Sequence, residues 1–292
     1  MNEMPELAIA SDYAQLAFHA LAHLPIRGPG RLDPRYPAWC RRAMPEAARA
    51  PIEEDAPAIA ELVARERCDV VHAMPELFRD LAQVRACAAR ELAELDDRDV
   101  ASPALLRALR NSAAAELLRA AILLAAPAFE RFFAAELVPL CERGRALLEP
   151  QLDRARALHP PLAGARVELA WPLGAHGRAF PERIVVGVPG DFAGLDAATP
   201  AVLAMHEASV RAHGGGAAGE PYVRAEWSAL IDVARSMAAA PSELREAHAR
   251  WLAALDLAPL CERAAALGLA PAALAGRVAR EPGARARLLA SR

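Results

Sequence analysis

The sequence predicts a mainly α protein: a multi-helix bundle with a small two-stranded β-hairpin ahead of a histidine-bearing helix. Three observations carry that prediction. Hydrophobic residues make up 54% of the 292-residue chain but aromatics only 5%, so the core has to be built from Ala, Leu and Val, which suits closely packed helices. Apolar residues recur at helical spacing in segment after segment, and a proline stands at the head of most of them. Between residues 166 and 188 the period changes from helical to alternating.

Residues 5–24 read as an amphipathic helix stopped by Pro25. It carries His19 and His23 at the i, i+4 spacing that lets one helix face hold two metal ligands. The pair shares its stripe with Asp12 and Gln15, opposite Tyr13, Ala14, Ala17, Leu21 and Leu24, as a solvent face does. Residues 25–57 hold Pro25, Pro29, Pro34, Pro37, Pro45, Pro51 and Pro57 together with Tyr36 and Trp39, and read as a long ordered loop. Helices follow near Ala56–Arg67, from Pro75 through Leu95, and from Ser102-Pro103 through ALLRALRNSAAAELLRAAILLAA. Another runs from Pro127 to Leu158, kinked at Pro139.

HPPLAG, from His159, marks a break. It suggests a helical unit over 1–158, with the Pro-rich loop, and a β-hairpin plus helical unit over 159–292; one continuous core is the alternative. Val167, Leu169 and Trp171 then alternate with Arg166, Glu168 and Ala170, and Arg183–Val188 is β-branched. These read as the two strands of a hairpin whose loop runs from Pro172 to Glu182. Thr199-Pro200 starts the next helix, which Gly214, Gly215 and Gly216 end; Pro221, Pro241-Ser242 and Pro271 open three more. His248 reads as a surface residue, and Arg280, Arg285, Arg287 and Arg292 make a basic tail. Segments 131–150 and 250–271 share PLCER, which is either an old duplication of a helical unit or a chance echo in Ala/Leu-rich sequence.

All 34 basic residues are Arg, and the absence of Lys removes Schiff-base, phosphate-loop and Ser-Lys chemistry. A net charge of -3 points away from a nucleic-acid surface. The most apolar run, Ala120–Phe129, is too short to span a bilayer, and MNEMPELAIASDY lacks the features of a secretory signal. Cys40, Cys68, Cys87, Cys141 and Cys261 are scattered without any C-x-x-C, which fits a reducing, cytoplasmic location. GGGAAG at 214–219 has the letters of a dinucleotide fingerprint but follows a helix where that fingerprint needs a strand, so it reads as a connector.

The stretch Thr199–Met237 carries the candidate chemistry. His206 shares a mainly apolar arc with Val202, Leu203, Met205, Ser209, Val210 and His213, with Glu207 on the flank. On the next helix, Arg224, Ser228, Asp232 and Arg235 form the polar stripe, and Glu226 lies opposite, among Tyr222, Val223, Ala229, Leu230 and Val233. A carboxylate aimed at a core needs a partner, so His206 and Glu226 are expected to meet.

His-Glu on one helix, then Glu on the next, resembles the gluzincin metallopeptidases, whose pattern is H-E-x-x-H followed by a ligand Glu. The resemblance implies zinc held by His206 and Glu226, with Glu207 as the base that activates water. The second motif His is absent, with Val210 in its place, which leaves a further ligand to come from His213, His19 or His23. Two functions follow. One is a divergent zinc-type hydrolase, peptidase-like, with Glu207 as general base. The other is a non-catalytic helical binding or accessory protein, taking a protein partner or an apolar small ligand, in which His206 and Glu226 are a structural buried pair.

Overall fold

The computed structural model describes residues 8–9, 45–66, 74, 77–78, 81–132, 134–135, 138–169, 177–180, 183–187, 197–214 and 220–255. Among these the chain is mainly helical: α1 (Glu46–Glu66), α2 (Leu81–Ala86), α3 (Pro103–Leu109), α4 (Ala113–Phe132), α5 (Val138–Leu158), α6 (Ala198–Ala212), α7 (Glu220–Ser236) and α8 (Ser242–Ala254). Four short strands join them: β1 (Ala8–Ile9), β2 (Val167–Leu169), β3 (Gly177–Ala179) and β4 (Ile184–Val186).

The sheet differs from the expected hairpin. β2 and β4 pair parallel, in the register Val167↔Ile184, Glu168↔Val185, Leu169↔Val186. The true hairpin is β3–β4: β3 comes from inside the expected loop, pairs antiparallel on the far side of β4, and is closed by the Phe180 N–H to Arg183 carbonyl bond of 2.8 Å. The reason is burial. Every residue of β2 and of β4 is buried, which is the condition of strands covered on both faces, whereas the half-polar pattern suggested one solvated face. β1 adds parallel to β2 through Ala8↔Glu168 and Ile9↔Leu169, so these two residues are a strand where a helix was expected; the rest of residues 5–24 lies outside the described residues. His19, His23, His176 and the tail arginines lie outside the described residues.

Prolines misled the helix boundaries. Pro51 and Pro57, placed in the loop, lie inside α1, and Pro127, placed at a helix start, lies inside α4. Pro57, Pro127 and Pro150 are all exposed, so water solvates the carbonyl that each leaves without its helical donor. The expected helix from Pro103 breaks instead at Asn111–Ser112. There Ser112 Oγ caps the N–H of Ala115 at 3.1 Å, and the Glu66 carboxylate accepts from the N–H groups of Ala113 (3.0 Å) and Ala114 (3.3 Å) at the positive end of α4.

The sheet separates two apolar clusters. Ile184 and Val186 face one built from α5, α6, α7 and α8; Val185 and Phe180 face the other, built from α1 to α4. Glu168, in register with Val185, is only 2% exposed. Arg166 Nη2 at 2.8 Å and Arg183 Nη1 at 3.6 Å answer its charge, and Arg183 also lies 5.1 Å over the Phe180 ring. Among the described residues no helix is long and apolar enough to cross a membrane.

Removing one partner of a buried ion pair leaves an uncompensated charge. Replacing Arg166 and Arg183 together with Ala takes both of these partners from the buried Glu168 carboxylate and is therefore expected to cost about 3 kcal/mol in urea-induced unfolding. A loss within experimental error would mean that water already solvates this cluster.

Candidate functional site

α6 is the centre of the cluster built from α5 to α8. Ala198, Pro200 through His206, and Ala208 through Val210 are all buried, against α5, α7, α8, β3 and β4. Ala201, Ala204 and Ala208 keep its surface low, so neighbouring helices approach closely. A helix covered all round cannot leave its polar side chains to water, so each must find a partner in the protein.

His206, 5% exposed, finds Glu226 on α7: Nε2 lies 3.0 Å from Oε2. The two sequence-selected groups do converge. The Glu226 side chain keeps 16% exposure, so the pair sits at the edge of the core. Burial alone would push the imidazole pKa down. The hydrogen bond and charge of Glu226, helped by Glu207, outweigh it and leave it above its ordinary value. The His206 ring also packs on Trp251 of α8, with centroids 5.1 Å apart, and its Nδ1 is buried with no partner among the described residues.

Glu207 turns from the same helix toward the sheet. It lies so close to β3 that a Cβ on Gly177 would stand 2.6 Å from Glu207 Cγ and 3.2 Å from Oε1. Ala179 donates its backbone N–H to the carboxylate. Burial raises the Glu207 pKa first, and Glu226 raises it further. His206, Arg178 and the Ala179 N–H lower it, and the balance is about 7. A carboxyl group at that value exchanges a proton readily at neutral pH.

The position of the second motif histidine is filled by packing. Val210, 3% exposed, presses on Ala225 and Ala229 of α7. His213 is 40% exposed and pairs with Asp232 through a 2.7 Å bond, two turns from His206 and separate from it. Among the described residues no group of three His, Cys, Asp or Glu side chains is placed to hold a metal ion. Tetrahedral zinc, with bonds of about 2.0–2.1 Å, sets two ligand atoms about 3.3 Å apart. The 3.0 Å His206–Glu226 separation is close to that, yet two donors fall short of the three protein ligands of a catalytic zinc.

Two further histidines surround the pair. His248, read from sequence as surface, is 7% exposed and stacks at 6.0 Å on the other partner of His206, Trp251. Burial and then the charge of His206 hold its pKa down at about 4. The i, i+4, i+7 spacing of Leu244, His248 and Trp251 was the sequence signal for this buried face. His159, 1% exposed, bonds to Ser209 of α6 and Ser236 of α7, each at 2.9 Å. These partners lie 50 and 77 residues away, so no local pattern announces them.

No family model, curated protein or solved structure matches this chain.

Gly177→Ala is expected to push Glu207 away from β3 and to cost about 1–3 kcal/mol as an overpacked contact. Thermal unfolding measures the cost, and carboxyl NMR follows the altered Glu207 titration; unchanged values in both would contradict the close contact. The pH dependence follows from His248. Its folded pKa lies below the unfolded value, so its stabilising contribution is complete above about 6.5 and disappears as pH falls toward about 4. At 1.36 kcal/mol per unit the loss is at most about 3 kcal/mol. His159 acts in the same sense, while Glu207, raised from 4.5, loses stability as pH rises toward 7. His248→Leu should flatten the fall of Tm between pH 6.5 and 4; an equally steep fall would rule His248 out as its source.

Proposed function

We propose that this chain is a divergent hydrolase of the zinc type, with Glu207 as general base and the His206–Glu226 pair behind it. The observation that carries this reading is the 3.0 Å meeting of His206 with Glu226 across consecutive helices, with Glu207, the residue after His206, held against β3 and within electrostatic reach of both. Glu207 takes the proton from a water molecule that attacks an acyl carbon, and then delivers it to the departing nitrogen or oxygen. Its half-buried position near neutrality suits both transfers. His206 and Glu226 would hold the ion, and a third ligand would have to come from outside the described residues, where His19 and His23 lie. A bound zinc supplies Lewis acidity toward the carbonyl.

A second reading is favoured by the directness of the 3.0 Å bond and by the packing of Val210. In it the pair is closed upon itself, and the chain is a binding or accessory protein taking a protein partner or an apolar small ligand. Metal analysis and mutation separate the two. The hydrolase reading expects stoichiometric zinc in protein purified without chelators. It also expects Glu207→Gln to lower turnover of a screened peptide or ester substrate by at least about 100-fold, with Tm unchanged or higher. Zinc-free protein, or full turnover in the variant, would sink it. The structural reading expects His206→Leu combined with Glu226→Leu to leave stability within about 1 kcal/mol and partner binding intact.

A further inference from the structure

The helices that carry His206 and Glu226 are both tied to a third side chain. His159 follows α5 directly and is 1% exposed. Its Nδ1 lies 2.9 Å from Ser236 Oγ, at the end of the helix bearing Glu226. Its Nε2 lies 2.9 Å from Ser209 Oγ, three residues after His206 and fully buried. The Ser236–Asp232 bond supplies an assignment of the protons. The Ser236 hydroxyl donates to the Asp232 carbonyl at 3.1 Å, so Ser236 Oγ accepts from His159 and Nδ1 carries the hydrogen. Nε2 is then the bare nitrogen, and the Ser209 hydroxyl donates to it.

We infer that His159 is a positioning residue: in its neutral Nδ1–H form it clamps α6 to α7 and holds His206 within bonding distance of Glu226. The His213–Asp232 bond joins the two helices at the exposed end of α6, and nearer the pair α6 and α7 touch through apolar side chains, Val210, Ala225 and Ala229 among them. Such apolar contacts are non-directional and permit small slips. Hydrogen bonds restrict both distance and angle, and a bond of 3.0 Å is lost if its atoms separate to about 3.6 Å. The clamp therefore acts where the tolerance is smallest. The neutral state agrees with the surroundings: burial lowers the His159 pKa and outweighs the opposing effects of Asp232 and the Met205 backbone, with a smaller lowering from nearby His206. The role goes beyond either functional reading, because it applies whether the pair holds an ion or closes upon itself.

Imidazole 1H–15N NMR of the full chain tests it. In the unmodified protein, His159 should show a protonated Nδ1 and a bare Nε2; a hydrogen on Nε2 alone would overturn the inference. In His159→Leu, far-UV circular dichroism should be unchanged, while the His206 proton shared with Glu226 exchanges with water at least tenfold faster. His159→Asn, which retains a donor near the Nδ1 position, should restore part of that protection. A folded Leu variant with His206 exchange as slow as in the original overturns the inference, since a residue that contributed stability alone would leave this proton in place. If the Leu variant does not fold, Ser209→Ala and Ser236→Ala each remove one bond, and the same exchange measurement decides.

Discussion

A helix buried on nearly every side governs this structure. Regular hydrogen bonding satisfies the backbone of α6, but its side chains have no water to turn to over most of its length. Small apolar residues meet that condition cheaply, and Ala201, Ala204 and Ala208 let the neighbouring helices close in. The polar residues meet it only by recruiting partners. His206 takes Glu226, Ser209 takes His159, and Glu207 leans out to the backbone of β3. The candidate site is thus the set of answers that the surrounding elements give to one covered helix.

The unusual strand order serves the same arrangement. β4 lies between β2 and β3, so its two faces belong to different apolar clusters and both are dry. That position anchors β4 firmly and leaves β3 beyond it, where the chain can meet Glu207 with a glycine and a backbone donor. Gly177 is required here by proximity: a side chain would occupy the space of the carboxylate. The other face of the sheet carries its own buried charge, Glu168, between two arginines. One small sheet therefore separates two ionic clusters as well as two apolar ones.

Electrostatics around α6 spread the histidines apart in behaviour. His206 gains a carboxylate and is more basic than usual, while His159 and His248 gain none at bonding distance and are less basic. Identical side chains thus meet three environments: a carboxylate on α7, a pair of serine hydroxyls, and the ring of Trp251. Whether the His206–Glu226 pair works as a ligand set or as a structural link depends on what else reaches it. Val210 shows that packing with α7 has taken the place where a further imidazole would stand.

Helical class, the break at residue 159 and the meeting of His206 with Glu226 were all legible from composition, proline placement and the helical wheel. They are local or nearly local properties: an apolar face must be covered, and a charge on that face must be matched. Strand partners were not legible, because alternation specifies a strand and leaves its neighbours open, so β2 and β4 paired parallel instead of forming a hairpin. Nor were the helical prolines, whose tolerance depends on which side of α1 and α4 faces water. His159 and Gly177 gained their meaning from residues far along the chain, and His248 lost its expected exposure when α8 settled on α6. Local sequence sets which faces need company; only three-dimensional packing chooses the company, because it alone brings distant segments within bonding distance.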